Sequence, residues 1–219
     1  MTQFYFHKLV QILPFFLKGL WMTVQVSFIS LILATILGFI TGILRTSKNK
    51  LIQYLIGIYV FIIRGTPFVV QIFIVFFVFP DWGIQLGAFS AAILAMTIMG
   101  GGFICEIIAG GIDAVDKGQW EAAISSGLTS VQALRFVIIP QSMKTILPPL
   151  VGEYVLLIKD SSVVSVIGIM DLTRVGWVTV ARIPEGLMVF SLVGILYFVI
   201  SYPLILLSNY LEKRMIVRA

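Results

Sequence analysis

Residues 20–44 read LWMTVQVSFISLILATILGFITGIL, a run without one charged side chain. A helix needs about 20 mostly apolar residues to cross ~30 Å of hydrocarbon, where only helices and closed barrels satisfy their own backbone. This stretch therefore predicts a transmembrane helix. Four more apolar runs follow, over 51–79, 88–110, 146–158 and 187–211. The fourth is the shortest and its start can lie earlier. Arg64-Gly65-Thr66-Pro67 interrupts the second. Of the 219 residues, 59% are hydrophobic and 11% charged, against about 25% charged in a soluble domain. The mean hydropathy is +1.07. A soluble fold of this size has no means of hiding so much apolar surface, so lipid must be part of the solvent. The expected fold class is an all-α membrane protein of about five transmembrane helices, forming one domain over 1–219.

The basic residues orient it, because cytoplasmic loops carry the excess of Lys and Arg. With the N-terminus outside, Arg45, Lys48, Lys50, Lys117, Arg135, Lys144, Lys213, Arg214 and Arg218 fall inside, whereas Lys8, Lys18, Arg174 and Arg182 fall outside. That asymmetry favours N-out and C-in, which an odd number of spans closes. His7 and Lys8 precede an apolar stretch with no small-x-small cleavage site, so residues 1–17 are read as an interfacial segment rather than a signal peptide. Phe4, Tyr5, Phe6, Phe15 and Phe16 are then expected near the headgroups. Gly100, Gly101, Gly102, Ala109, Gly110 and Gly111 allow close helix approach, either within the chain or between copies. Met96 and Met99 are expected in the core, and the lone Cys105 is a small packing residue.

The loop at about 111–145 is charged and amphipathic in an otherwise apolar chain. Glu121-Ala122-Ala123 favours a helix, and Gly127 is expected to end it after about two turns by taking the left-handed conformation. Thr129 or Ser130 is placed to cap a second amphipathic stretch running to Ile139, after which Pro140 sets the return to the membrane. Two short helices around a Gly corner make a knob suited to a groove in a soluble partner; an interfacial loop with no partner is the alternative.

Here the chain resembles a family. The order Glu121-Ala122-Ala123, Gly127, then Val137-Ile138-Ile139-Pro140 is similar to the "EAA" loop of bacterial ABC importer permeases. Arg64-Gly65-Thr66-Pro67, Gly118-Gln119-Trp120-Glu121, Pro140-Gln141, Leu147-Pro148-Pro149 and Lys159-Asp160-Ser161-Ser162 resemble the polar amino-acid branch, over at least residues 20–210. The resemblance implies that Gln119, Trp120, Glu121, Ala122, Ala123, Gly127 and Pro140 belong to a loop that docks into an ABC ATPase subunit. It implies a second permease subunit, identical or a close paralogue, an extracytoplasmic solute-binding protein, and residence in the bacterial plasma membrane. ATP and Mg belong to the partner ATPase. The chain departs from the pattern at Ala109, where Arg is usual, and at Glu153, where many members carry Asn or another neutral residue.

Charges within the spans cost at least ~2.5–3.5 kcal/mol at the bilayer centre, so Arg64, Glu106, Glu153, Lys159 and Asp160 each need a role. Glu153 and Asp160 are two helical turns apart, on one face and about 10 Å from each other. Two carboxylates on one cavity wall call for a cation. The expectation is a substrate site in which one carboxylate holds an α-amino group and the other a cationic side chain, hence arginine, lysine or histidine. The alternative pairs Asp160 with Arg64 or Lys159 and leaves Glu153 facing water. Pro67 removes a helical N–H and frees carbonyls near residue 63, so Thr66, Gln71 and that backbone are expected to line the site. Arg64 is read either as the partner of the substrate carboxylate or as a structural ion pair. Glu106 is expected to touch the cytoplasmic loop.

No stretch matches G-x-x-x-x-G-K-[ST], no His/Cys cluster suggests a metal, and the single His excludes a hydrolytic triad. The chain is therefore expected to be no enzyme by itself and to carry no cofactor. Its scattered basic residues do not form a nucleic-acid footprint. The rival functions are a polar neutral (glutamine) importer permease and an ion-coupled secondary transporter that uses its intramembrane acids for protons or sodium.

Overall fold

The computed structural model describes residues 11–182 and 185–216. Every regular element among them is helical: α1 Leu13–Arg45, α2 Lys50–Gly65, α3 Phe68–Phe73, α4 Ala88–Asp113, α5 Lys117–Ser125, α6 Ser130–Ala133, α7 Ile139–Asp160, α8 Leu172–Val180 and α9 Gly186–Ile216. Helices α1, α4 and α9 are each long and apolar enough to cross a membrane, and α2 with α3 and its continuation to Trp82 form a further, bent apolar pair. At 1.5 Å per residue α7 is about 33 Å long, a membrane-spanning length with a more polar sequence.

The elements begin and end where side chains close the backbone. Asn49 caps α2 by accepting from Leu51 N and Ile52 N. The start of α1 lies earlier than the apolar run alone predicts. Residues 13–17 belong to it, and Phe16 is fully buried against Leu172, Val175 and Val189 instead of facing headgroups. Phe15 stays partly exposed, and Phe4, Tyr5 and Phe6 lie outside the described residues. Within α1, Thr35 and Thr41 donate to the carbonyls of Leu31 and Leu37, so their hydroxyls are satisfied within the helix.

The core rests on α1 against α4. A Cβ built on Gly38 would lie 2.5 Å from Ile104 Cβ and 2.9 Å from Gly101 O; one on Gly42 would lie 2.6 Å from Ile108 Cβ. The pairs Ala34–Gly100, Gly38–Ile104 and Gly42–Ile108 advance together, so the two helices run parallel. Helix α7 runs antiparallel to α4: Leu157 covers Gly100 and Ile146 covers Gly111. Tyr59 and Ile63 of α2 close over Gly101 and Gly102. Packing within the chain thus accounts for Gly100, Gly101, Gly102 and Gly111, whereas a Cβ at Gly110 would meet nothing within 4 Å. Met96, Met99 and Cys105 are buried as expected.

Helix α8 was not anticipated in the 159–186 loop. Asp171 starts it, its carboxylate accepting from Thr173 N, Arg174 N and the Tyr197 hydroxyl. Leu172 N donates to Thr23 Oγ1 at 3.1 Å. These bonds tie α8 to α1 and α9 at the end of the bundle opposite α5 and α6.

Gly38 and Gly57 offer a matched test. Alanine at Gly38 forces Ile104 and the α4 backbone apart and is expected to cost about 1–3 kcal/mol. Nothing lies within 4 Å of a Cβ at Gly57, where alanine is expected to be neutral or to stabilise by up to about 1 kcal/mol through helix propensity. Thermal unfolding of both variants in detergent checks the contrast.

Candidate functional site

Helix α2 stops at Gly65, and Thr66 is extended (φ −122°, ψ 143°), because the residue before proline is disfavoured in the helical region. The axis turns by 108° between Lys50–Gly65 and Phe68–Trp82. Pro67 has no N–H for the Ile63 carbonyl, and Gln71 supplies one: its Nε2 lies 2.8 Å from Ile63 O, 3.1 Å from Thr66 O and 3.0 Å from Thr66 Oγ1. The freed carbonyl is therefore taken up inside the chain rather than left bare for a ligand. Thr66 and Gln71 still line a cavity of about 220 Å³ with Ile63, Val75, Ala95 and Ile98. Gln71 Oε1, buried and without a partner among the described residues, is the acceptor left over.

The charges sort into two groups. Glu106 of α4 stands between two arginines, Arg45 at the end of α1 and Arg64 at the end of α2; Arg64 Nη1 is 3.2 Å from Glu106 Oε2, and Arg45 bonds Oε1. Glu106 thus meets helix ends and not the α5–α6 loop, which corrects its expected role. Arg64 pairs with Glu106 and not with Asp160. Ala109 leaves Glu106 without a cation from its own helix, and Arg45 and Arg64 provide the charge.

Glu153 and Asp160 form the second group. Both lie on α7, Glu153 buried and Asp160 exposed. Among the described residues neither makes an ion pair or a side-chain hydrogen bond, and Lys159 makes no ion pair either. The helix changes character at this point: α7 ends at Asp160 and tightens into a 3-10 segment, Ser161–Ile167, whose Ser161 and Ser165 hydroxyls donate back to Ile158 O and Ser162 O. The face carrying these two carboxyl groups holds no cation at ion-pair distance among the described residues.

The loop end of the bundle is a compact knob. Helix α5 closes at Gly127 (φ +86°), with Gly127 N bonded to Ile124 O and Leu128 N to Ala123 O, the paired bonds of a left-handed helix terminus. Thr129 caps α6 reciprocally with Gln132. Glu121, Ala122, Ile124, Val131 and Phe136 are exposed, whereas Ala123 is buried. Gln141 Nε2 donates to Gln119 Oε1 at 3.0 Å, joining two motifs far apart in sequence. Pro140 stands where the chain enters α7. A π-helical turn, Leu134–Ile138, joins α6 to α7 without a gap, and Pro140 sits in the first turn of α7, where its missing N–H does least harm.

Residues 34–217 match the family of binding-protein-dependent transport system inner membrane components. The chain belongs to this family. Other permeases of the same kind cover nearly all of it. A probable glutamine ABC transporter permease of Bacillus subtilis (strain 168) is 38% identical over 205 residues, 92% of this chain and 94% of the relative. The arginine transport system permease of the same organism is 32% identical over 204 residues, 93% of each. Among solved structures, an amino acid ABC transporter with histidines has a TM-score of 0.86 at 35% identity, covering 95% of this chain and 98% of the other. A methionine ABC transporter in an inward-facing conformation (TM-score 0.76, 18% identity) shares the fold.

Sequence reading missed the Glu106 pairing with Arg45, the Gln71 latch and the capping role of Asp171. The latch had a signal in Pro67 followed by an amide four residues on, one helical turn away. Leucine at Gln71 keeps the volume and removes the donor. An unpaired Ile63 carbonyl in apolar surroundings is then expected to cost about 1–3 kcal/mol, read as a lower melting temperature in detergent. An unchanged melting temperature would mean that this carbonyl has another donor.

Proposed function

We propose that this chain is the membrane-spanning subunit of an ATP-driven importer of basic amino acids, arginine, lysine or histidine, in the bacterial plasma membrane. The observation that carries the substrate class is the pair of uncompensated carboxylates, Glu153 and Asp160, on one intramembrane helix. A buried carboxylate without an internal partner is strongly disfavoured unless it takes up a proton or a cation joins it. A cationic amino acid presents an α-ammonium group and a second cation, one for each carboxylate. Thr66, Pro67 and Gln71 shape the wall at the α2–α3 break. Arg64, committed to Glu106 on one side and half-exposed, is the group nearest in chemistry to a partner for the substrate carboxylate.

Five spans carry the proposal: α1, the bent α2–α3 pair, α4, α7 and α9, with the N-terminus outside. The parallel course of α1 and α4 and the antiparallel course of α7 support this order, and the knob of α5 and α6 then faces the cytoplasm with Lys48, Lys117 and Arg135. There it docks into an ABC ATPase, which holds the ATP and Mg. A second permease subunit, identical or paralogous, and an extracytoplasmic solute-binding protein complete the assembly. ATPase closure pulls on the knob and shifts the bundle between outward-open and inward-open states. Family membership weighs against an ion-coupled carrier. The glutamine-permease relatives favour one second reading, a polar neutral amino acid.

Uptake into liposomes by the reconstituted complex separates these readings. Arginine is expected to outcompete glutamine, and Glu153→Gln to raise the arginine KM by about tenfold or more, as removal of one partner of a buried charge pair costs at least ~2 kcal/mol. Preference for glutamine, or an indifferent Glu153→Gln, defeats the basic-substrate reading and leaves the permease intact.

The knob is tested separately. Gly127→Val places a β-branched residue at positive φ and is expected to leave ATP hydrolysis running while transport falls. Full coupling in this variant and in Glu121→Ala would exclude docking through this loop.

A further inference from the structure

A cavity of about 590 Å³ opens between the end of α1, the end of α4 and the α5–α6 knob. Its lining is divided. Ile43, Leu44, Ile112, Val115 and Leu134 make an apolar wall, and Lys48, Lys117, Ser47 and Thr46 gather at the polar side. Both lysines are exposed, and neither forms an ion pair among the described residues. Ser47 Oγ is buried with no hydrogen-bond partner among them. Asp113 is the single acid on the wall, so the cavity carries a net charge of +1, two lysines against one carboxylate. Trp120 closes one side, the kind of amphipathic ring that settles at a membrane–water boundary.

We infer that this cavity binds an anionic glycerophospholipid of the phosphatidylglycerol type, with its phosphate on Lys48 and Lys117 and its chain along Leu44 and Ile112. Three observations select that occupant. The cavity lies where two long apolar helices end, and thus at headgroup depth. Its charge matches a headgroup of net charge −1, and its unpartnered hydroxyl and Asp113 match the hydroxyls of a glycerol headgroup. Its apolar half is of no use to a free anion, and two nearby cations on a membrane-adjacent surface favour anionic lipid. The inference uses the proposed topology only to place the cavity in the inner leaflet, and it is independent of the substrate.

Native mass spectrometry of the purified full-length chain in detergent tests it. Phosphatidylglycerol is expected to bind roughly tenfold more tightly than phosphatidylethanolamine, the size of effect two surface lysines supply. K48Q/K117Q is expected to abolish the preference and K48R/K117R to keep it. Leu44→Trp, which narrows the apolar wall and leaves both lysines in place, is expected to weaken binding of either lipid. Equal binding of the two lipids to the wild-type chain overturns the inference, as does a preference that survives K48Q/K117Q. Glycerol phosphate binding as tightly as the lipid would make this a free-anion site and overturns it as well. Sidedness plays no part in detergent, so these outcomes are distinct from failure of the transport reading.

Discussion

The backbone-to-backbone approach of α1 and α4 is the constraint on which the rest of the bundle depends. In lipid there is little hydrophobic drive to bring helices together, so association rests on close van der Waals packing. Gly38 and Gly42, one turn apart, provide it by letting Ile104 and Ile108 sit against the bare α1 backbone. Once this pair is set, α2 and α7 dock on Gly100, Gly101, Gly102 and Gly111 of α4 through Tyr59, Ile63, Leu157 and Ile146. The Arg45–Glu106–Arg64 cluster then closes one end of the same seam, and the Asp171 cap closes the other.

Polar groups inside such a bundle are satisfied locally or left open for a reason. The proline break shows the first case. Gln71 replaces the one N–H that Pro67 lacks, so a bend of 108° is accommodated without stranding the Ile63 carbonyl. Asp171 is the second example, a fully buried carboxylate with three donors around it. Glu153, buried and without an ion pair among the described residues, differs from Asp171 in having no donor around its carboxyl group, and that contrast makes its face a candidate for function.

Much of this was legible in the chain. Long apolar runs mark α1, α4 and α9, the Arg64–Pro67 break marks the bend, and Gly127 with Thr129 marks the knob, because each is a local signal carried by a few adjacent residues. What escaped depends on residues brought together by packing. Phe16 read as interfacial because its apolar partners, Leu172 and Val189, lie far along the chain. Helix α8 was hidden in a segment of mixed polarity whose cap is satisfied partly by Tyr197. The continuity of the chain through Pro140 escaped because a π-helical turn, Leu134–Ile138, has no sequence signature of its own. The carboxylates at 153 and 160 were visible as a spacing, whereas their lack of a partner is known only from three-dimensional contacts.

The uninterrupted course of α6 through the π-helical turn into α7 also has a mechanical meaning. From Ser130 to Asp160 the backbone forms one strut about 45 Å long, with the knob at one end and the two free carboxylates along its far half. Rocking such a strut by about 10° about its knob end sweeps its tip through roughly 8 Å at this length, more than the width of an amino-acid side chain. Pro148 and Pro149 leave two carbonyls of the preceding turn without helical donors, so the strut has its compliance near the middle. A push at the knob is thereby divided between tilt of the whole rod and flexure at the two prolines, and the ratio of the two determines how far Glu153 and Asp160 travel together.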